Sequence, residues 1–266
     1  MERKELMGRF ARDEEERLAL ARVLDRMEQS RSRCIPTATH FLTPALRAIC
    51  QPLLNACGHP SHLFFGGYPD AERTVCVFLP DWLAEDQWLA EAEEILGAVE
   101  ARFPPGASLS HRDILGGLMG MGLTRERLGD ILMGEGQAQI IALRETVPIL
   151  LSQFEQAGRQ RLRLREIPLS ALCPAPATVR VVRDTVATLR LDAVLAAGFS
   201  LSRSRAAELI AGGRVSVNHR ECTKSDRIVA QGDVLTCRGW GKCVLTAVGG
   251  QSRKGRTILE LERYQT

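Results

Sequence analysis

The segment covering residues 189–219, LRLDAVLAAGFSLSRSRAAELIAGGRVSVNH, constrains the fold of this 266-residue chain more than any other. Its apolar residues recur at helical spacing in two short stretches, which predicts two short helices, the first ending at Gly198. Ser202 is placed to cap the second helix, and the Gly212-Gly213 pair can end it in a left-handed conformation. The pattern therefore predicts a pair of helices joined by a tight turn.

A strand hairpin is expected after these helices. Val215 and Val217 alternate with polar residues, which predicts a short strand leading to a turn at Asn218. Further on, VAQGDVLTCRG predicts a tight turn at Gly232-Asp233 followed by a strand. The predicted module is two helices followed by a hairpin.

Charge is distributed unevenly between this module and the rest of the chain. From residue 186 onward there are 13 Lys and Arg against 7 Asp and Glu, a net charge of +6. The remainder carries 22 against 25, a net charge of −3. A basic module on a mildly acidic body predicts a polyanionic partner for the module alone.

Five basic side chains are candidates for contacting such a partner. Arg203 heads the second predicted helix, where the free N–H groups and the positive end of the dipole also favour a phosphate. Arg205 projects away from the apolar stripe, and Lys224, Arg238 and Lys242 could extend the positive surface across the hairpin. Each of these residues, taken alone, is more simply explained as a solvated surface charge.

Taken together, the helix pair and the hairpin closely resemble the S4-type RNA-binding domain named for the ribosomal protein. The matching run covers nearly all of residues 187–243. The resemblance implies contact with structured RNA, with Arg190 as a weaker contact because the neighbouring Asp192 also indicates a structural role. The RNA-binding residues expected on this basis are Arg190, Ser202, Arg203, Arg205, Asn218, Lys224, Arg238 and Lys242.

The whole chain is predicted to be an α+β protein in three parts. We expect a helical N-terminal region at 1–60, an RRM-like or ferredoxin-like middle domain at 61–169, and the S4-type domain at 186–266. Residues 170–185, which begin with the proline-containing SALCPAPAT, are expected to form a linker.

Local patterns predict the elements of the first two parts. Helices are predicted at 1–30, from Thr43-Pro44 to Gly58, at 81–103, at 111–122, at 123–129 and over ETVPILLSQFEQAG. Strands are predicted at 74–80, at 107–110, at 159–167 and on both sides of the Gly134–Gly136 turn.

Three upstream stretches extend the resemblance beyond the S4-type module. FLTPALRAI, GGYPDAERTVCVFLP and HRDILGGLMGMGLTRERLGDIL are similar to the bacterial YlmH proteins, so the resemblance covers about residues 37–266. It implies RNA binding on the large ribosomal subunit, to rRNA and possibly tRNA, in rescue or quality control of stalled peptidyl-tRNA complexes. It also implies a genetic association with cell division, so an adaptor for division machinery is an alternative.

A second basic pattern lies in the middle domain. In RQRLRLRE, Arg161, Arg163 and Arg165 alternate with Leu162 and Leu164, so one strand face would be basic and the other buried. An edge strand with solvated charges is an equally good interpretation. The domain lacks the aromatic strand motif with which RRMs stack bases, so any RNA contact would use charge and shape.

Enzyme motifs are incomplete in this chain. His111-Arg112-Asp113 matches a kinase tripeptide, but Leu118 stands where that motif has asparagine. Four glycines between 116 and 122 lack the Gly-Lys-Ser/Thr ending of a phosphate loop and favour close helix packing. Arg190-Leu191-Asp192 resembles the pseudouridine-synthase tripeptide without its glycine and threonine context. We therefore expect no enzyme activity, cofactor or small-molecule substrate, with an RNA-modifying enzyme as the alternative.

The remaining sequence features bear on metal binding and on where in the cell the protein works. None of the eight cysteines forms a Cys-x-x-Cys pair, and CGHPSH, with Cys57, His59 and His62, is expected to be a surface loop and not a metal site. No stretch approaches the roughly 18 apolar residues that span a bilayer. The charged N-terminus is unlike a targeting signal, so a cytoplasmic protein is expected.

Overall fold

Contacts between residues divide the chain into two units, Met1–Ala175 and Pro176–Thr266, in a computed structural model. The structure describes residues 3–104, 106–107, 109–176 and 178–264. Both units combine helices with antiparallel sheets, as the sequence predicted. Among the described residues, no helix is both long and apolar enough to cross a membrane.

The first part of unit 1 packs three helices against a small sheet. Asp13 begins the second helix by accepting a hydrogen bond from Glu16 N, which divides the single helix expected at 1–30. Thr43 caps the third helix, as predicted, with a proline in the first turn. The elements are α1 (Arg3–Phe10), α2 (Glu14–Arg33), β1 (Thr37–Ala38), α3 (Pro44–Ala56), β2 (His62–Phe65) and β3 (Val75–Phe78).

The boundary expected at residue 60 is wrong. Strands β2 and β3 pair with β1 in one sheet of order β1-β3-β2, so this region continues to Phe78. Pairing between distant strands sets this boundary, and the turn-rich composition after residue 61 does not reveal it. Within CGHPSH, Cys57 packs on the core, and His62 Nδ1 lies 2.7 Å from Pro60 O. The described residues contain no cluster of three His, Cys, Asp or Glu suited to a metal ion.

The second part of unit 1 has the strand-helix-strand-strand-helix-strand order of a ferredoxin-like domain. Its sheet has the order β5-β6-β4-β9 with every neighbouring pair antiparallel, and α5 and α6 cover one face. The elements are α4 (Glu85–Ala90), β4 (Leu96–Arg102), α5 (His111–Gly120), β5 (Leu128–Gly134), β6 (Gln137–Leu143), α6 (Val147–Gln153), β7 (Gln156–Ala157), β8 (Gln160–Arg161) and β9 (Arg163–Ile167).

The long helix predicted at 81–103 is wrong. Only Glu85–Ala90 is α-helical, and Leu96–Arg102 is a strand between β6 and β9. Ala, Leu and Glu give the segment a helical propensity, but burial between two strands outweighs it. A Cβ on Gly97 would lie 2.6 Å from Val147 Cγ2, so the glycine permits close contact with α6.

Four smaller predictions differ from the structure in the same domain. Residues 123–129 form one 3-10 turn, Arg125–Arg127, and then enter β5. The strand predicted at 107–110 includes a residue outside those described, and Ser110 caps α5. The strand predicted at 159–167 is divided into β8 and β9, and the helix before it already ends at Gln153. The two strands around the Gly134–Gly136 turn are confirmed.

Unit 2 is a six-stranded antiparallel sheet with two helices on one face. The sheet has the order β10-β15-β14-β13-β11-β12, and α7 is buried along its whole length. The elements are β10 (Val179–Val186), α7 (Leu191–Phe199), α8 (Arg203–Ala211), β11 (Val215–Val217), β12 (Arg220–Glu221), β13 (Val234–Cys237), β14 (Gly241–Gln251) and β15 (Thr257–Tyr264).

The linker predicted at 170–185 is too long. Strand β10 pairs with β15 along Val179–Val186, so residues 179–185 of the predicted linker belong to the sheet of unit 2. On the other side, the Gln139 side chain bonds Ala171 O at 3.1 Å and Cys173 N at 2.8 Å, which fastens 171–173 to the middle domain. The prolines lie at the boundary between the two units, but the linker there is shorter than predicted.

Two adjacent glycines of α5 give a test of the packing. A Cβ on Gly117 would lie 2.8 Å from Phe154 Cε2, whereas a Cβ on Gly116 would meet nothing within 4 Å. Gly117→Ala should therefore be less stable than Gly116→Ala by about 1–3 kcal/mol, because overpacking acts at Gly117 only. At Gly116 alanine should stabilise the helix by up to about 1 kcal/mol. Equal unfolding midpoints in urea would contradict this packing.

Candidate nucleic-acid interface

The caps of α8 are those that the sequence predicted, whereas α7 ends at Phe199, one residue beyond the predicted Gly198. Ser200 adopts a left-handed conformation with φ +57° after α7. The Ser202 hydroxyl accepts a hydrogen bond from Arg205 N at 3.2 Å, and Gly213 follows α8 with φ +67°. These local features fix the start of α8, so the side chains of its first turn have defined positions at the surface.

Asp192 connects the starts of the two helices. Its carboxylate accepts hydrogen bonds from Arg190 Nε and Nη2, both at 3.2 Å, and from Arg203 Nη2 at 2.9 Å. The Asp192 side chain is 9% exposed, whereas those of Arg190 and Arg203 are 37% and 59% exposed. Both guanidinium groups are thus fixed on one side and open to solvent on the other.

Electrostatics keeps this cluster ionised. Burial alone would raise the pKa of Asp192, but hydrogen bonds from Arg190 and Arg203 outweigh it and hold that pKa below its ordinary value. The carboxylate cancels one of the two positive charges. The cluster therefore retains a net positive charge at neutral pH.

The loop between β12 and β13 adds basic side chains beside this cluster. Leu191 N donates to Arg227 O at 2.8 Å and Asp192 N donates to Ser225 O at 3.1 Å, so the loop lies against the start of α7. Lys224 and Arg227 are exposed in that loop. The sequence analysis named Lys224 and missed Arg227, since only this contact reveals that the loop adjoins Arg190.

A second basic group lies where α8 meets the hairpin. Arg205 is exposed and bonds Glu208 Oε2 at 2.8 Å, and Arg214 Nη2 donates to Arg238 O at 3.3 Å. Burial raises the pKa of the Cys237 thiol, while the charges of Arg214 and Arg205 act in the opposite direction. Arg205 and Arg214 therefore both lie near the Cys237 thiol. Arg214 was missed, although it stands in the GGRVSVN segment that carried the resemblance.

Two predicted site residues do not join these groups. Asn218 adopts φ +51°, donates to Asp233 Oδ1 at 2.7 Å and accepts from Val234 N at 2.9 Å, so its side chain maintains the hairpin turn. Lys242 alternates with the buried Cys243, which places it on the sheet face opposite the helices, with Nζ 4.4 Å from the Tyr264 ring centroid. The structure thus places Asn218 in the turn and, through strand register, Lys242 on the other face of the sheet, and RNA contact by either residue stays a prediction.

The candidate interface therefore consists of an Asp192 cluster and an Arg205 group in unit 2. The Asp192 cluster comprises Arg190, Asp192 and Arg203 with the adjoining loop residues Lys224 and Arg227, and the Arg205 group comprises Arg205, Arg214 and Arg238. Exposed guanidinium groups in this number suit contacts with phosphates, which position a nucleic acid without distinguishing its bases.

Comparison with known proteins agrees with a helix pair and hairpin of the S4 class. Residues 189–235 match the family model described as "S4 domain", residues 98–171 match "Putative RNA-binding domain in YlmH", and residues 15–79 match "YlmH, N-terminal". The chain belongs to the YlmH family.

Two known proteins are similar to this chain. The "Ribosome-associated protein quality control protein P2" of Bacillus subtilis (strain 168) is 34% identical over 228 residues, covering 85% of this chain and 87% of the relative. The solved structure "Cell division protein ylmH from Streptococcus pneumoniae" is 22% identical, with a TM-score of 0.49, and covers 60% of this chain and 95% of its own.

Replacing Asp192 tests the cluster through pH. Because the folded-state pKa of Asp192 is depressed, its stabilising effect is fully present above the unfolded pKa, about 3.9, and is lost as pH falls through the folded value. Asp192→Asn should destabilise α7 by about 1–3 kcal/mol at pH 7 through lost charge-assisted hydrogen bonds, and by less at pH 3. Hydrogen exchange of the α7 amides in the intact protein measures this.

The matched control is Asp226→Asn, which removes the same charge from an exposed residue of the neighbouring loop. It should change the stability by well under 1 kcal/mol. If Asp192→Asn behaved like this control at both pH values, the carboxylate would not hold the cluster together.

Proposed function

We propose that this protein is a non-enzymatic RNA-binding factor of the ribosome. It would bind rRNA, together with tRNA, on the large subunit and act in rescue or quality control of stalled translation. In this role it stabilises one ribosomal state, works in the cytoplasm and needs no cofactor.

The observation that carries the proposal is the set of exposed guanidinium groups on the helical side of unit 2. Arg190 and Arg203 are held by a buried carboxylate, and Arg205 follows Arg203 in the first turn of α8. Arg214 and Arg238 are exposed beside each other at the hairpin. Since the side chains of Arg190 and Arg203 are already held by Asp192 before binding, they lose less entropy when they contact phosphates.

The relatives support the ribosome as the place of action. The Bacillus relative carries ribosome-associated quality control in its name, and the similarity extends over most of both chains. Two of the three matching family models are of RNA-binding type. An RNA-rich ribosomal surface is also the kind of polyanion that the basic module fits.

The two enzyme-like tripeptides have structural roles in this fold. Asp192 of Arg190-Leu191-Asp192 is buried and accepts three hydrogen bonds from arginines. Asp113 of His111-Arg112-Asp113 caps α5, with Oδ2 accepting from Ser110 N at 2.9 Å and from Ser110 Oγ at 2.6 Å. Both aspartates are accounted for without catalysis, which favours a binding function.

Removing two helix arginines tests the proposed interface. Arg203→Ala with Arg205→Ala in the full chain should weaken binding to large ribosomal subunits at least tenfold. The slope of log affinity against log salt should fall by about one to two units, because up to two phosphate contacts are lost. Sedimentation of the protein with purified subunits over a series of salt concentrations measures both quantities.

Arg253→Ala with Lys254→Ala is the charge-matched control. These exposed residues lie in the β14–β15 turn, at the opposite end of β14 from Arg238. The control should retain nearly the wild-type affinity and slope. If both double variants lost affinity equally, net charge and not the proposed interface would explain the binding.

The non-enzymatic part of the proposal has its own test. RNA incubated with the pure protein should yield nucleosides with unchanged masses and unchanged chromatographic retention. Retention is needed because pseudouridine has the same mass as uridine. A new nucleoside peak that disappears with Asp192→Asn would establish an RNA-modifying activity instead.

A further inference from the structure

Strand β10 lies at one edge of the six-stranded sheet of unit 2, where β15 is its strand partner among the described residues. The pairing runs without a register shift along all eight residues, Val179–Val186. The opposite edge is β12, which has only two residues, Arg220–Glu221. A short edge strand offers little to pair with, whereas a long regular one presents a row of N–H and C=O groups to a further strand. The edge of β10 is therefore suited to accept another strand.

Apolar side chains beside this edge are exposed. Val179 and Val181 are 38% and 51% exposed, and they lie on the sheet face opposite the helices because the alternating Val186 is buried in the core. Ile258 of β15 pairs with Thr185 on the same face and is 42% exposed. A strand added to β10 would cover part of this apolar surface.

Two charged side chains of β10 are left without an ion pair among the described residues. Arg180 and Asp184 are both exposed, and neither forms a salt bridge there. Cross-strand pairing places Arg180 directly opposite Arg263, an arrangement of like charges that costs stability. Asp184 uses Oδ1 to accept a hydrogen bond from Thr185 N at 2.6 Å. A strand that brought a carboxylate to Arg180 and a cation to Asp184 would balance both charges.

The backbone limits how a second copy of β10 can pair with the first. In an antiparallel pair, a residue whose N–H and C=O point towards the other strand must meet another such residue. The twofold axis between two copies therefore passes through a residue and not between two residues. With the axis at Val182, Arg180 of each copy lies opposite Asp184 of the other.

Other axes along the strand pair no opposite charges. An axis at Arg180, Arg183 or Asp184 sets a charged residue opposite its own copy, which is unfavourable. An axis at Val181 leaves Arg180 opposite a valine. Charges that only protected the edge from association would repel in the register of greatest overlap, whereas here they attract. The strand is thus complementary to itself in one register.

The same register joins apolar residues of the two copies. Val179 of one copy lies opposite Thr185 of the other, with Tyr264 beside the valine and Ile258 beside the threonine in their own sheets. These four side chains form one row across the junction, on the face opposite the helices. Burial of the row adds an apolar contribution to the two ion pairs.

We propose that the protein self-associates through unit 2, with the β10 strands of two copies pairing antiparallel about a twofold axis at Val182. The partner is a second copy of this chain, and the two sheets become one continuous sheet. A single pair of strands buries little surface, so the dimer is weak and depends on concentration. None of the residues of the candidate nucleic-acid interface takes part, so self-association goes beyond the proposed function.

Sedimentation velocity of the full chain tests whether the dimer forms. The protein is treated with nuclease, so that RNA cannot bridge two copies. Its sedimentation coefficient should rise from that of a monomer towards that of a dimer between about 1 and about 200 µM, the range expected for a small interface.

Charge reversal tests the register. Arg180→Asp and Asp184→Arg should each weaken self-association about tenfold, because each variant sets like charges opposite each other at both positions of the pair. Equimolar mixing of the two variants should restore association to the wild-type level, because the mixed dimer pairs opposite charges at both positions. The double variant Arg180→Asp, Asp184→Arg should also associate like the wild type.

Arg112→Asp is the matched control, since it makes the same change in net charge at an exposed residue of α5 in unit 1. It should associate like the wild type. Thermal unfolding of each variant checks that it is folded, and the wild-type concentration series tests the proposal without any substitution.

Three results would overturn the proposal. The first is a wild-type chain that sediments as a monomer throughout the series. The second is association that appears without nuclease and disappears with it, which would indicate bridging by RNA. The third is a mixture of Arg180→Asp and Asp184→Arg that associates no better than either folded variant alone, because the two residues would then not face each other.

Discussion

A nearly buried carboxylate that holds two arginines occurs in both units, and the proposed RNA contact of unit 2 depends on the one at Asp192. Asp192 bonds Arg190 and Arg203, and Glu100 bonds Arg102 and Arg165. An ionised carboxylate away from water is costly unless it is paired, so each carboxylate requires its arginines. The arginines in turn gain a defined orientation at the surface, because one side of each guanidinium is engaged.

This arrangement explains how a chain with a net charge of only +3 can present local positive surfaces. Each carboxylate lies below the surface, and the guanidinium groups that bond it are partly or mostly exposed. A polyanion approaching the helical side of unit 2 therefore meets positive charge first. Holding the side chains before binding reduces the entropy that a flexible arginine would lose.

The sequence predicts the features that depend on neighbouring residues and misses those that depend on strand pairing. Ser202 and Gly213 specify their caps locally, so the helix pair was predictable. The helix expected at 81–103 was wrong because β4 lies between two strands that come later in the chain. In the candidate site, the sequence could not show that Lys242 lies on the other face of the sheet or that Arg227 lies beside Arg190, since register and a loop contact decide these positions.

Mapping RNA–protein crosslinks of the intact protein on the large ribosomal subunit tests the central claim most directly. The account predicts crosslinked peptides from the start of α8 and from the neighbouring residues Arg214 and Arg238 of unit 2. Crosslinks restricted to the opposite sheet face, around Lys242 and Tyr264, would contradict it.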